Sequence, residues 1–246
     1  MDLEKDGLRA VGFEEALRIS RGLGKLETGS SAIDGLLQGG YEEGKVTEIF
    51  GASNSGKTQL AIQASVMAAA KGWGSVFVDT EATFRPERVE QIAEERGLQA
   101  SKILDLIYSV RARNVQGQVG VLGRMRDDPR VRSARLVVVD TVTKNFTLEF
   151  PGRERTSRRQ GALGAYMNKV ALDAYNNKRV VLLTNRVASV PKGGMSQEVD
   201  LGGLTLSRFV SKSIRLTRKG ADVYANLEPE GRSPPAKASI SSRGFD

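Results

Sequence analysis

Gly51-Ala52-Ser53-Asn54-Ser55-Gly56-Lys57-Thr58 reads G-x-x-x-x-G-K-[ST], a complete phosphate-binding loop signature. The flanks suit it. Residues 46–50, Val-Thr-Glu-Ile-Phe, form an apolar run that predicts a strand leading into the loop, and residues 58–67, Ala-rich and free of breakers, predict a helix leaving it. Strand, glycine loop and helix N-terminus together aim backbone N–H groups at phosphates. The implied ligand is a nucleoside triphosphate with Mg²⁺. In that arrangement the Lys57 ammonium reaches the β- and γ-phosphates and is a candidate catalytic group, and the Thr58 hydroxyl ligates the metal. Gln59 completes the candidate cradle that begins at Gly51.

Outward from the loop, strands and helices alternate. This is the pattern of an α/β fold whose mostly parallel central sheet carries helices on both faces. Strands are expected over 75–79, 103–108, 136–140 and 179–184, and helices over 86–96, 115–125 and 160–176. Leu136-Val137-Val138-Val139-Asp140 is nearly continuous in β-branched residues, as a strand buried on both faces should be. Residues 144–159 read as a long charged segment, and 188–205, rich in Gly and Ser, as a loop. A C-terminal antiparallel hairpin is expected from 212–218 and 223–227, joined through Lys219-Gly220-Ala221-Asp222, with a last strand over 237–241. Upstream, a helix is expected over 13–21. A short one over 32–37 would be capped by Ser30 or Ser31 and stopped by Gly39-Gly40. No repeat or linker interrupts the pattern. Residues 1–25 read as an N-terminal linker and 26–246 as one domain.

Composition removes whole classes of chemistry. The 246 residues include no cysteine and no histidine, which excludes disulfides, thiolate metal sites and imidazole catalysis. Catalysis must rest on carboxylates, Lys, Arg and a metal held by oxygen. A net charge of +8 favours a polyanionic partner. No apolar run approaches the roughly 20 residues that span a bilayer, and a cytoplasmic setting is expected. Asp140, closing its apolar strand, stands where a carboxylate would hold Mg²⁺ beside the phosphate loop. Asp79-Thr80-Glu81 closes a second strand. Glu81 is the candidate to orient and deprotonate the attacking water, or else a structural carboxylate at a helix start.

Two blocks carry a resemblance. The run from Thr47 to Ala61 resembles the core of archaeal RadA and the eukaryotic strand-exchange recombinases. Asp79-Thr80-Glu81-Ala82-Thr83-Phe84-Arg85-Pro86-Glu87-Arg88 is similar to that family's D-T-E-G-T-F-R-P-E-R block, with Ala82 in place of glycine. Thr28-Gly29-Ser30 and the ending Gly244-Phe245-Asp246 also fit. The resemblance runs from about residue 12 to the C-terminus and is weakest over 142–206. It implies a RecA-like ATPase core with ATP and Mg²⁺ as ligands, Glu81 as catalytic glutamate and Arg85 stacked on the adenine, although Arg85 also reads as a solvated helix-start residue.

It further implies DNA binding, single-stranded DNA favoured, through a first loop containing Phe150, Arg153, Arg155, Arg158 and Arg159. The same residues also read as an ordinary charged surface. A second loop would lie within 188–206, and the basic residues Arg208, Lys212, Arg215, Arg218 and Lys219 are as consistent with a solvated hairpin as with DNA. Phe13 and Ala16 match the polymerisation motif F-x-x-A, or form the apolar face of a helix packed on its own domain.

Two departures set the expectation further. The motif stands about a dozen residues from the first residue, which resembles the core-only architecture of RadB-type paralogues. Thr184-Asn185-Arg186-Val187 replaces the family's T-N-Q-V, whose Gln senses the γ-phosphate. Arginine cannot accept a hydrogen bond, so Arg186 could meet a phosphate only as a charge. The expectation is a RadB-like recombination paralogue with weak ATP hydrolysis, acting with a RadA-type recombinase or by self-assembly. The alternatives are an active, filament-forming strand-exchange ATPase and a KaiC-like signalling ATPase without DNA.

Overall fold

The structure is a computed structural model that describes residues 14, 22–192, 195–229 and 234–246, with the backbone alone over 188–200. Phe13 and Ala16 lie outside the described residues. In chain order the elements are β1 (Lys25–Leu26), α1 (Ser31–Leu36), β2 (Tyr41–Glu42), β3 (Val46–Gly51), α2 (Lys57–Ala70), β4 (Ser75–Asp79), α3 (Pro86–Glu95), α4 (Ala100–Leu104), β5 (Ile107–Arg111), α5 (Val115–Asp127) and α6 (Pro129–Arg132). Then follow β6 (Leu136–Asp140), α7 (Lys144–Glu149), α8 (Thr156–Asn177), β7 (Val180–Lys192), β8 (Met195–Asp200), α9 (Gly203–Ser207), β9 (Lys212–Lys219), β10 (Asp222–Glu228), β11 (Ala236–Ser241) and β12 (Gly244–Phe245). Strand β1 straddles the division expected after residue 25 and pairs with β2.

The main sheet runs β12-β11-β10-β9-β3-β7-β6-β4-β5, with β8 folded back on β7. From β9 to β5 every neighbouring pair is parallel. The C-terminal strands β9 to β12 are antiparallel to one another, as the hairpin reading predicts. Each central strand feeds two cores by the two-residue alternation of side chains. In β6, Leu136 and Val138 join one cluster with Ile33, Leu60 and Ile92, while Val137 and Val139 join the other with Met125, Tyr166 and Val170. Both faces are therefore dry, which is why these strands read as continuous apolar runs. The C-terminus is tied to the helix that follows the phosphate loop. Gln63 Nε2 donates to the carbonyls of Thr28 and Phe245 (2.8 and 3.1 Å), and its Oε1 accepts from the Phe245 amide at 2.6 Å.

Three expectations are corrected. Residues 103–108 are not one strand. Ile103 ends inside the helical turn α4, where it reaches the α2-side core, and Asp105 breaks the apolar run before β5 starts at Ile107 opposite Ser75. The charged segment 144–159 is mostly helical: α7 takes its first six residues and α8 starts at Thr156, so only 150–155 connect them. Within 188–205 the described residues are mostly strand and helix and not loop. Strand β7 continues past the sheet and pairs with β8 from Val187↔Asp200 to Lys192↔Met195, and α9 follows. Backbone pairing supplies that hairpin without asking for an apolar period, so its Gly- and Ser-rich composition reads as a loop.

Candidate functional site

The phosphate loop, Glu81, Asp140 and Arg186 come together at the ends of the parallel strands, where open α/β sheets carry their ligands. Gly51 pairs with Arg186 and Asp79 with Asp140 in strand register, which draws the ends of β3, β7, β4 and β6 together. A cavity of about 540 Å³ opens there, lined by Ser53, Asn54, Gly56, Lys57, Thr58, Gln59, Glu81, Thr83, Asp140, Thr141, Arg186, Arg218 and Ile240. Gly56 has to be glycine. Its φ is +102°, and a Cβ would stand 2.8 Å from Phe245 Cζ and 2.9 Å from Ile240 Cδ1.

Lys57 is buried at the loop. Its Nζ donates to the carbonyls of Gly51 (3.0 Å) and Ala52 (2.6 Å) and to Ser55 Oγ at 3.4 Å. Burial pushes its pKa down. The charges of Asp140 and Glu81 oppose that fall, and the Arg186 charge adds to it. Asp140 is buried and ringed by hydroxyls. Its Oδ2 accepts from Thr58 (2.9 Å) and Thr83 (3.1 Å), and its Oδ1 from Thr184. Burial pushes the Asp140 carboxyl up. The hydrogen bonds from the three threonines pull it down, and the Glu81 charge adds to the rise. One carboxylate beside one hydroxyl is a hard-oxygen donor pair. It suits Mg²⁺, which keeps its remaining positions for waters and substrate phosphates. The residues fit a Mg²⁺–triphosphate ligand: Thr58 and Asp140 would hold the metal and Lys57 the phosphates, the bound metal supplying charge neutralisation.

Asp79 builds the turn that presents Glu81. Its Oδ1 accepts from the amides of Glu81, Ala82 and Thr83 at 3.0, 2.7 and 3.2 Å, and its Oδ2 from that of Phe84 at 3.3 Å. Ala82 carries φ +63° in this turn, the position where the resembled block has glycine. Phe84 then packs on Phe77, ring centroids 4.8 Å apart, pinning the turn to the core. Glu81 thus faces the cavity with its two oxygens in different states. Oε2 is held by the Arg186 guanidinium, and Oε1 is buried with no hydrogen-bond partner.

Arg186 is placed by a polar network that the motif reading missed. Buried Glu48 accepts from Asn185 Nδ2 (2.9 Å) and Ser213 Oγ (3.0 Å), linking β7, β3 and β9, and Asn185 Oδ1 accepts from Thr143 Oγ1 (2.8 Å) and the Arg186 amide (2.9 Å). Thr83, Thr184, Arg218 and Ile240 also escaped assignment to the site. For Thr83 and Thr184 the signal was present, since both lie inside the quoted blocks. Arg85 stands outside the cavity lining and donates to the carbonyls of Ala82 and Phe84 at 3.0 and 3.1 Å. Its neighbour Arg88 instead bonds Gln59 Oε1 at 2.7 Å and the Ser241 and Ser242 carbonyls, joining the loop helix to the C-terminal strands.

The arginine segment lies away from the cavity. Arg153, Arg155 and Arg158 are exposed, whereas Arg159 is committed to the fold, donating to the Phe150 carbonyl at 2.8 Å and to Thr156 Oγ1 at 3.3 Å. Phe150 is half-buried. In the C-terminal basic run, Lys212 pairs with Glu42 at 2.8 Å, Arg215 lies 3.7 Å from Glu228, Arg218 Nε donates to the Gly220 carbonyl, and the Lys219 ammonium stands over the Tyr224 ring. These contacts account for much of that run as hairpin chemistry.

A glycine loop between a buried parallel strand and a helix, with a threonine-ringed strand-end carboxylate across from it, defines a nucleoside-triphosphate-binding α/β protein of the RecA-like class. A family model described as Rad51 matches residues 20–221. The DNA repair and recombination protein RadA of Ignicoccus hospitalis is 38% identical over 231 residues, 88% of this chain and 70% of that protein. The same-named protein of Aeropyrum pernix is 39% identical over 229 residues, 87% and 71%. That of Metallosphaera sedula is 37% identical over 191 residues, 74% and 59%, so this chain spans from just under three-fifths to just over seven-tenths of these relatives' lengths. The chain belongs to the Rad51 family. Among the described residues, no helix is long and apolar enough to cross a membrane.

Proposed function

We propose that this protein is an ATP- and DNA-binding recombination paralogue of the RadB type, one that hydrolyses ATP weakly and assists or regulates a RadA-type recombinase. The observation that carries this reading is the occupied Glu81. A water attacking the γ-phosphate must give its proton to a nearby acceptor. Glu81 is the carboxylate of the cavity outside the metal pair, and one of its oxygens is bound by Arg186. The other is buried and unpartnered, aligned with a role as acceptor but close to a cation that competes for the same charge. Lys57, Thr58 and Asp140 retain what nucleotide and Mg²⁺ binding require. The exposed Arg153, Arg155 and Arg158 would neutralise DNA phosphates, with single-stranded DNA the favoured substrate, and Phe150 would stack on a base. Phe13 and Ala16 would serve self-assembly or docking on the recombinase.

A second reading, an active strand-exchange ATPase, is favoured by the 37–39% identity to proteins called RadA. ATP hydrolysis with and without single-stranded DNA, run beside a strand-exchange assay, separates the two. The paralogue reading expects slow turnover, a small response to DNA and no exchange by the protein alone. Strong DNA stimulation together with exchange would establish the second reading in its place.

A further inference from the structure

Two cavities meet at the Glu81–Arg186 pair. The triphosphate-sized one is described above. The second, about 230 Å³, is lined by Thr143, Lys144, Thr147, Leu148 and Leu201, and shares Glu81, Thr141 and Arg186 with the first. The pair is thus a partition between a phosphate pocket and a neighbouring groove. Its two members differ in freedom. The Glu81 side chain is 13% exposed and its backbone amide is held by Asp79 Oδ1, whereas the Arg186 side chain is 53% exposed on a backbone held at both ends by Asn185 Oδ1 and the Leu201 amide. The more exposed partner is the arginine. It starts opposite Gly51 in strand register, at the mouth of the phosphate loop, and its charge already acts on Lys57.

We infer that Arg186 is a positioning residue that exchanges partners. Without a γ-phosphate its guanidinium holds Glu81, and a γ-phosphate takes the guanidinium and frees the glutamate. The inference rests on reading the cavity as a nucleoside-triphosphate site. Guanidinium forks match phosphate oxygens with two parallel hydrogen bonds, so the triphosphate draws the guanidinium from a partly exposed ion pair; Glu81 competes for it in return, so only part of the ATP-bound population has a free Glu81 and turnover stays slow. In the freed state Glu81 accepts the proton of a water whose oxygen bonds to the γ-phosphorus as the bond to the ADP oxygen breaks. ADP and phosphate leave, Glu81 gives its proton to the departing phosphate or to solvent, and Arg186 returns to the carboxylate. The product state is then the latched one, so the same side chain that recognises ATP resets the site after each turnover.

The test is calorimetric binding of Mg-ADP and of a non-hydrolysable Mg-ATP analogue to the wild type, Glu81→Gln, Arg186→Gln and the double variant, with thermal melts to show that each is folded. Removing the Glu81 charge relieves the competition, so Glu81→Gln should bind the analogue about three- to tenfold more tightly while ADP affinity stays within about twofold. Arg186→Gln should weaken the analogue by a similar factor and spare ADP. Adding Glu81→Gln to Arg186→Gln should then give no selective gain. Equal shifts for both nucleotides in Glu81→Gln, or the same selective gain with Arg186 already removed, would overturn the exchange. A wild type that binds neither nucleotide would overturn the nucleotide site itself and the exchange with it.

Discussion

The phosphate loop and the arginine segment 150–159 are both read as anion-binding, yet they are built in opposite ways. At the loop, Lys57 and Asp140 are buried and every polar atom that faces the cavity from them is hydrogen-bonded at a set distance. In the segment, Arg153, Arg155 and Arg158 are exposed, and only Arg159 is fastened to the chain that carries it. A compact ligand with a metal needs fixed geometry, so its site is written as a strict motif. A polyanion needs charge within reach, so its site is written only as composition. The first kind should fail sharply when one atom group is removed. The second should fade.

Lys57→Ala puts the sharpest strain on that contrast. It removes the cation that would meet the β- and γ-phosphates and leaves two loop carbonyls without their donor. Nucleotide affinity should fall on the order of a hundredfold, corresponding to about two charge-assisted hydrogen bonds, while DNA binding in the absence of nucleotide changes little. Fluorescent-nucleotide titration and DNA anisotropy on the same sample make the measurement. A parallel loss of both would mean that the two regions are not separate.

Asp79→Ala should break the turn rather than the pocket. The buried carboxylate accepts from amides across residues 81–84, and removing it leaves those donors unpaired. A cost of about 3 kcal/mol is expected, which for a chain of this size lowers the Tm by roughly 6–12 °C. ATP hydrolysis should fall with it because Glu81 rides on the turn. An unchanged Tm would show that the turn is held by the Phe77–Phe84 packing instead.

Asp140→Asn should move stability the other way. Asp140 has a folded-state pKa raised by burial, so the folded chain holds a proton there that the unfolded chain has already released. Its contribution is therefore fully present below the ordinary carboxylate value and lost as pH rises through the raised folded value. At neutral pH the ligand-free protein carries that penalty. Asparagine removes it, so the Tm of the variant without nucleotide should rise by a few degrees, about 1 kcal/mol, and its dependence on pH above about 4 should flatten. The dependence of nucleotide binding on Mg²⁺ should disappear at the same time. A variant less stable than wild type at neutral pH would assign Asp140 a net structural role.

How far the chain could be read follows the same division. Parallel strands buried on both faces must be apolar throughout, so β3, β4 and β6 were legible nearly to the residue, and the carboxylates that end β4 and β6 were legible with them. The α4–β5 boundary was not, because Ile103 and Ile107 both serve the same core from different backbone conformations. The β7–β8 hairpin was not, because a ribbon joined by backbone bonds imposes no apolar period. The replacement of the family glutamine by Arg186 was visible in sequence. Its pairing with Glu81, 105 positions away, needed the strand register that brings β7 and β4 to one edge of the cavity.

The smallest effects are expected at the arginine segment, and they decide whether the contrast is real. Replacing Arg153, Arg155 and Arg158 together by alanine should leave the Tm and nucleotide affinity unchanged, because none of the three makes an ion pair among the described residues. If each meets one phosphate, the slope of log affinity for single-stranded DNA against log salt should drop by about two, at roughly 0.7 for every phosphate that is no longer neutralised. Affinity at moderate salt should fall in step with that slope, and each single substitution should take about a third of the fall on the logarithmic scale. Arg159→Ala should behave differently. It removes the clamp on the Phe150 and Gly152 carbonyls, so it should lower stability as well as DNA affinity. A single arginine that abolished binding outright would mean that this segment, too, recognises its ligand by geometry.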